Sequence, residues 1–110
     1  MTIAYLTPRE NRFGNYEYFE TIADGATGNT VFIPGLHAGK TISVTIIAGS
    51  NSGYYEYSTS LDSEVEDGTS TWTTGDMGTI TGTETEVLIA NVSAIRCVSV
   101  SGQIALEIKI

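Results

Sequence analysis

Apolar and polar side chains alternate with a period of two residues along most of the chain. Between residues 41 and 47 the side chains of Ile42, Val44 and Ile46 fall on one face, while threonine and serine dominate the other. The C-terminal stretch repeats the pattern, with an apolar face formed by Ile104, Leu106, Ile108 and Ile110. Because successive Cβ atoms of a β-strand point to opposite sides of the sheet, both stretches are predicted to be strands with one buried face.

Similar stretches rich in Val, Ile, Thr and Tyr recur at short intervals and favour further strands. They are residues 29–33, 54–60, 70–74, 85–90 and 94–100, with weaker candidates near the N-terminus and at 18–23 and 78–81. Turn sequences with Gly or Asn, such as ADGATGN and AGSNSG, separate them. No long stretch has the apolar spacing of an amphipathic helix. The pattern predicts an all-β fold: an antiparallel β-sandwich of jelly-roll or immunoglobulin-like type, with little or no helix, in a single domain over residues 1–110.

Two segments interrupt this regular pattern. Residues 7–20 mix charges with aromatic side chains and contain Pro8 and Gly14, so they are interpreted either as a loop packed on the sandwich or as an arm that reaches a neighbouring subunit. The acidic run LDSEVEDG carries Asp62, Glu64 and Glu66 around an apolar Val65. We expect it to form a short solvated strand with Val65 turned inward, closed by an Asp-Gly turn.

Charge and composition narrow the classes of function. The 110 residues contain 13 acidic and five basic side chains, with a net charge of −8. So few basic residues do not neutralise a phosphate backbone, and nucleic-acid binding is not expected. No apolar run of about 18 residues is present, and the N-terminus lacks the features of a signal peptide, so no membrane association is expected. The single cysteine, Cys97, allows no internal disulfide bond.

The inventory of catalytic side chains is small. The only histidine, His37, lies in the turn-like sequence PGLHAGK, and Cys97 lies among apolar residues of a predicted strand. No nucleophile elbow, phosphate-binding loop or set of metal ligands accompanies them. We therefore predict a protein that is not an enzyme and holds no cofactor or metal.

Aromatic side chains are the most suggestive feature, because tyrosine is enriched at protein interfaces. Tyr54, Tyr55 and Tyr57 place aromatic rings on both faces of one predicted strand. Trp72 alternates with threonines and is expected to be a core plug or the edge of an interface rather than a ligand platform. The candidate partner-binding residues are Tyr16, Tyr18, Phe19, Tyr54, Tyr55, Tyr57 and Trp72. Ordinary cross-strand pairing of the tyrosines is an equal alternative, and stacking on a sugar ring is a further one.

The C-terminal part of the chain resembles small β-sandwich proteins of tailed-bacteriophage virions. The resemblance covers about the last 45 residues and rests on Trp72 in a threonine-rich strand, Gly75, Gly78, the Ala94-Ile95-Arg96 strand, Gly102 and the closing stretch 104–110. It implies a virion structural protein made in the host cytoplasm. Within that class it implies first a capsid decoration (cement) protein, a homo-oligomer and by preference a trimer, bound to the major capsid protein. A tail or neck component, or a carbohydrate-binding module, is the alternative.

Overall fold

The structure, a computed structural model, describes residues 2–8, 16–33, 41–89 and 91–110. Within these ranges it contains strands and one short helix, α1. In chain order they are β1 (Ile3–Tyr5), β2 (Thr7–Pro8), β3 (Tyr16–Ile22), β4 (Thr30–Phe32), β5 (Ile42–Ser58), α1 (Asp62–Asp67), β6 (Thr73–Thr74), β7 (Ile80–Leu88), β8 (Ala94–Ser101) and β9 (Ile104–Lys109). The predicted all-β class is confirmed.

The long strand β5 organises the sheet. Its first half pairs antiparallel with β7 on one side and β9 on the other, and its second half pairs with β6 and β8. Strands β8 and β9 therefore lie end to end along β5, and the chain passes from one to the other near Gly102. We call such an end-to-end pair of strands a path. On the other side of this path, β3 pairs antiparallel with β9 and β4 pairs antiparallel with β8. The molecule thus consists of long antiparallel paths that each run from one half of the sheet into the other.

The sheet curls until it is nearly closed. Its strand order begins with β1 and ends with β2, and these two strands are separated in sequence only by Leu6. Strand β1 pairs parallel with β4, while β2 pairs antiparallel with β3. Residues 3–8 therefore connect the two ends of the strand order, and the buried Leu6 side chain lies at this junction.

The two-residue alternation changes phase where the paths pass from one half to the other. In β5 the buried positions that face the core are Ile42, Val44, Ile46 and Ala48 before the change, and Gly53 and Tyr55 after it. The register with β7 shifts between Ile47 and Gly53, as in a β-bulge. A bulge adds one residue to one strand, so every later side chain changes face. Strand β8 turns the odd-numbered Ile95 and Cys97 toward the core, whereas β9 turns even-numbered residues toward it.

The core lies inside the curled sheet and is shared by its two halves. It contains Val44, Ile46, Leu106 and Ile108 from one half and Val31, Tyr55, Ile95 and Cys97 from the other. A second, small cluster lies on the outside, where Phe32, Val65 and Ala94 meet Ile3 and Trp72. Helix α1 and Trp72 therefore cover part of the outer face of the half that contains β4 and β8.

Residues 62–67 form a helix, so the prediction of a solvated strand there is wrong. The Glu64 side chain reaches back to accept a hydrogen bond from the backbone N–H of Leu61, and Gly68 ends the helix in the left-handed conformation with φ 76°. These are local start and stop signals of a helix. The predicted inward orientation of Val65 is confirmed, because its side chain is completely buried.

Two other segments also differ from expectation. The sequence AGSNSG was predicted to be a turn, but it lies within β5, where Gly49 at φ 61° accommodates the bulge. Of the segment 7–20, residues 7–8 and 16–20 belong to β2 and β3 and pair with each other and with β9. Residues 9–15 lie outside the described residues, so the interpretation of the whole segment as a loop or an arm stays a prediction.

Candidate functional site

An open depression of about 620 Å³ lies where β1 and β2 meet β3 and β9. It is lined by Tyr5, Thr7, Glu17, Tyr18, Phe19, Glu107, Ile108 and Lys109. We call it the aromatic depression. Two of its aromatic side chains face solvent, since Tyr5 is 69% exposed and Phe19 is 61% exposed. Large apolar side chains with such exposure are candidates for contact with another molecule.

Strand pairing positions these side chains. In β3 the even-numbered residues turn toward the core and the odd-numbered residues turn outward, which leaves Phe19 on the surface opposite Glu107 of β9. The Tyr5 ring stacks on Phe32 with the ring centroids 5.9 Å apart. The exposed aromatics are therefore held on strands and do not depend on a loop for their position.

A polar network lies on the inward side of β3, behind the exposed Phe19. The Tyr18 hydroxyl donates to Glu20 Oε1 over 3.0 Å, and the side-chain amide of Asn29 donates to the Tyr18 hydroxyl over 3.1 Å. The Glu20 carboxylate also accepts from the backbone N–H of Asn29, at 2.9 Å for Oε2. Desolvation by burial, with a smaller effect of Glu20, raises the pKa of Tyr18. The phenol therefore stays neutral at physiological pH and serves to hold β3 against the segment that precedes β4.

A second depression, of about 500 Å³, lies on the outer face of the other half, beside Arg96 of β8. Its lining residues are Thr2, Thr27, Gly28, Asn29, Thr30, Gly68 and Arg96. The Arg96 guanidinium lies over the Trp72 ring, 4.0 Å from the centroid, and its Nε donates to Glu56 Oε1 over 2.8 Å. The aromatic ring and the carboxylate together fix the plane of this guanidinium.

Two buried titratable side chains, Cys97 and Tyr55, are held in their neutral forms. Burial, with a smaller effect of the Glu20 charge, raises the pKa of the Cys97 thiol to about 12, so the thiol is protonated at neutral pH. Burial and the hydrogen bond from its hydroxyl to Glu86 raise the pKa of Tyr55. No three His, Cys, Asp or Glu side chains of the described residues lie close enough to hold a metal ion. His37 lies outside the described residues.

Two of the predicted partner-binding residues, Tyr18 and Phe19, line the aromatic depression. Only Phe19 turns outward, because Tyr18 lies on the inward face of β3 and packs against the main core. Tyr16 and Tyr57 are half-buried and pack against the main core. Tyr54 is half-buried in the second half of β5. Sequence reasoning missed Tyr5, although it belongs to one of the weaker strand candidates.

The remaining two predicted residues, Tyr55 and Trp72, also have packing roles. Tyr55 has 0% exposure, so it is a core residue and has no surface to offer a partner. The prediction that Tyr55 binds a partner is therefore wrong. Trp72 precedes β6, packs against the small outer cluster and lies under Arg96, which agrees with a packing role more than with an open platform.

The backbone path is similar to that of oxalate oxidase. A structure of the recombinant enzyme in complex with glycolate matches with a TM-score of 0.53 at 14% identity, covering 87% of this chain and 41% of that chain. A structure concerned with the mechanism of oxalate oxidase matches with a TM-score of 0.52, the same identity and the same coverage. At this identity the likeness concerns the fold alone, and the chain spans less than half of that enzyme's length.

Other comparisons add little to this fold likeness. The Schizosaccharomyces pombe Cnp3 cupin domain matches with a TM-score of 0.48 at 11% identity over 94% of this chain and 56% of that domain. No protein-family model matches the sequence, and a comparison with curated proteins finds no match to it. Among the described residues, no helix has the length and apolar character needed to span a membrane.

Proposed function

We propose that this chain is a non-enzymatic structural protein of a tailed-bacteriophage virion. In this proposal it is a capsid decoration protein that forms a homo-oligomer, by preference a trimer, and binds the major capsid protein of the head shell. The observation that carries the proposal is the pair of exposed aromatic side chains, Tyr5 and Phe19, held on paired strands beside an open depression. Rigidly positioned aromatic side chains are typical anchors of protein interfaces.

The interior of the sheet supports an assembly role over an enzymatic one. Most positions that face inward carry Val, Ile, Leu, Tyr and Cys side chains that belong to one cluster. The carboxylates of Glu20 and Glu86 also lie on the inward side, where they accept hydrogen bonds from the hydroxyls of Tyr18 and Tyr55. We also propose that the curled sheet is a jelly-roll-type sandwich. Its long paths each contribute to both halves, and the molecule is flattened, with extents of 35 × 35 × 23 Å.

The acidic charge fits the same role. A net charge of −8 disfavours nucleic acid and anionic lipid as partners and favours a basic protein surface. The carbohydrate-binding alternative receives no such support, because the Trp72 ring lies between Arg96 and the small outer cluster.

The test is the oligomeric state and the association of the protein with phage particles. Light scattering after size exclusion should give a mass about three times that of the monomer, and the protein should cosediment with purified phage heads. Replacing the exposed Phe19 with serine (Phe19→Ser) should weaken one or both associations. The matched control is Val100→Ser, since Val100 is also exposed, at 52%, but lies on β8 at the opposite half.

Three results would contradict parts of this proposal. A protein that is monomeric at all concentrations and cosediments with neither heads nor tails would refute the assembly role. Cosedimentation with tails alone would move the protein to the tail or neck. Equal effects of Phe19→Ser and Val100→Ser would show that the aromatic depression is not the contact surface.

A further inference from the structure

We propose that the depression beside Arg96 binds an oxyanion, a carboxylate or a phosphate, through the outer guanidinium nitrogens of Arg96 and the hydroxyl of Thr30. This site is separate from the aromatic depression and does not depend on the proposed virion function. We call it the Arg96 site, and its lining residues are those given above for the second depression.

Thr30 and Arg96 are neighbours on the outer face of the sheet. Val31 of β4 pairs with Ile95 of β8, and both side chains belong to the main core. Because side chains alternate, the residues on either side of that pair face outward. Thr30 precedes Val31 and Arg96 follows Ile95, so the antiparallel register places the two side by side, and both line the same depression.

The Thr30 hydroxyl is the observation that points to a ligand. Thr30 is only 2% exposed, yet its hydroxyl makes no hydrogen bond to any other described residue. Its backbone N–H, by contrast, donates to the carbonyl oxygen of Thr2 over 2.7 Å. A buried hydroxyl without a partner is costly, and the great majority of buried polar groups in native proteins have one. An acceptor atom of a ligand in the depression would satisfy it.

Arg96 supplies the charge and the geometry. The Nε of Arg96 donates to the carboxylate of Glu56, and the guanidinium group lies over the Trp72 ring. The two Nη groups are therefore the donors that can bind a ligand. A guanidinium carries only donors, and its planar fork matches the two oxygens of a carboxylate or phosphate. Such a pair of donors, next to one hydroxyl donor, selects an oxyanion over a cation or an apolar ligand.

The flanking residues are polar and small. Thr2, Thr27 and Asn29 line the depression, and Gly68 at the C-terminal end of α1 leaves space above it. The carboxylate of Glu56 reduces the positive potential at Arg96, so the site is suited to one small oxyanion and not to a polyanion. A free inorganic phosphate and a carboxylate on a partner protein share this chemistry.

The single tryptophan makes the site directly observable. Trp72 lies against Arg96, so an anion bound to the guanidinium should change the tryptophan fluorescence. We expect saturable changes on titration with sodium phosphate and with sodium acetate, and no saturable change with sodium chloride at equal ionic strength. Acetate represents a carboxylate source and inorganic phosphate a free phosphate source, so the stronger response identifies the preferred class.

Variants at Thr30 isolate the contribution of the hydroxyl. Thr30→Val replaces the hydroxyl with a methyl group of similar size and should weaken binding about ten-fold, as expected for the loss of one hydrogen bond to a charged ligand. Thr30→Ser should retain binding. The matched control is Thr45→Val in the opposite half, where Thr45 Oγ1 bonds to Thr85 Oγ1; it should bind like the parent protein.

Stability measurements give a second readout. Without an oxyanion, Thr30→Val should be at least as stable as the parent, because it removes an unpartnered buried hydroxyl. Phosphate or acetate should raise the melting temperature of the parent but not that of Thr30→Val. Arg96→Lys, which keeps the charge but loses the planar fork, should also lose the response. The absence of a saturable response in the parent, or unchanged binding by both Thr30→Val and Arg96→Lys, would overturn the inference.

Discussion

At the scale of single residues, Tyr55 shows how one side chain joins distant parts of the chain. It is fully buried in the second half of β5, and its hydroxyl donates to the carboxylate of Glu86 on β7. The same carboxylate oxygen accepts the backbone N–H of Asp76 over 3.1 Å. Gly75 lies directly against the Tyr55 ring, where a Cβ atom would overlap with ring atoms. The tyrosine thus fixes the turn between β6 and β7.

Replacing Tyr55 with phenylalanine tests this role. Tyr55→Phe should lower the free energy of unfolding by about 1–2 kcal/mol, because the Glu86 carboxylate loses a donor in a partly buried position. Urea denaturation followed by circular dichroism measures the change. Tyr57→Phe is the control, since the Tyr57 hydroxyl makes no hydrogen bond to another described residue. Similar losses in both variants would contradict a specific role for the hydroxyl of Tyr55.

At the scale of elements, the architecture depends on the points where the strands pass from one half of the sheet to the other. Gly102 lies at one of these points, between β8 and β9, and adopts φ 72°. The Asn51 side chain packs over Gly102, and its amide donates to the carbonyl oxygen of Gln103 over 3.0 Å. A Cβ atom on residue 102 would overlap with that side chain. Gly25 has a similar φ of 68°, but a Cβ atom there would meet nothing within 4 Å.

The comparison of Gly102→Ala with Gly25→Ala separates backbone strain from contact. Both variants place alanine in the left-handed region and should each lose about 1 kcal/mol of stability from that cause. Gly102→Ala should lose about 1 kcal/mol more, because the Asn51 side chain must move and its hydrogen bond breaks. Thermal and urea unfolding of the two variants measure the difference. Equal losses would show that the contact with Asn51 does not stabilise this passage.

The elements also show where sequence reasoning succeeds and where it does not. The inward faces of β9 and of the first half of β5 were predictable residue by residue, because Ile42, Val44 and Leu106 follow strict alternation. The continuity of β5 through AGSNSG was not, since Gly, Ser and Asn are equally typical of turns and bulges. Helix α1 was missed because six residues are too few to show a helical period. Its ends are defined by the hydrogen bond from the Leu61 backbone to the Glu64 side chain and by the left-handed conformation of Gly68.

The candidate sites were predictable only in part. Tyr18 and Phe19 were identified from aromatic composition, and both line the aromatic depression, but only Phe19 turns outward from β3. Tyr55 was grouped with them by composition, and its burial was not predictable, because the register shift within β5 decides which face of the strand turns inward after residue 49. The Arg96 site had no sequence signal, because Thr30 and Arg96 are far apart in the chain and become neighbours only through the pairing of β4 with β8.

At the scale of the whole molecule, electrostatic repulsion opposes the compact state. Acidic side chains outnumber basic ones by 13 to five, which gives the net charge of −8. The acidic residues Glu64, Glu66 and Asp67 lie together on α1, and Glu66 and Asp67 are near its C-terminal end, where a negative charge is unfavourable. Self-repulsion of this kind is reduced by salt.

The melting temperature should therefore rise when sodium chloride is increased from low concentration to about 0.2 M, where the Debye length is below about 10 Å. Differential scanning calorimetry measures the shift. The double variant Glu66→Gln/Asp67→Asn has a net charge of −6, two negative charges fewer than the parent, and should be more stable at low salt with a smaller rise. A melting temperature that does not change with salt would contradict the importance of self-repulsion.

The amino-acid sequence by itself determined the secondary-structure class, the inward faces of the regular strands, the acidic character and the scarcity of catalytic side chains. These properties depend on local alternation and on composition, and both can be read from the sequence without knowing which strands pair. Only the tertiary structure decided that the strands curl into one nearly closed sheet, that Tyr55 is buried while Tyr5 and Phe19 are exposed, and that Thr30 lies beside Arg96. These properties depend on strand register and on bulges, where the shift of a single residue moves every later side chain to the opposite face.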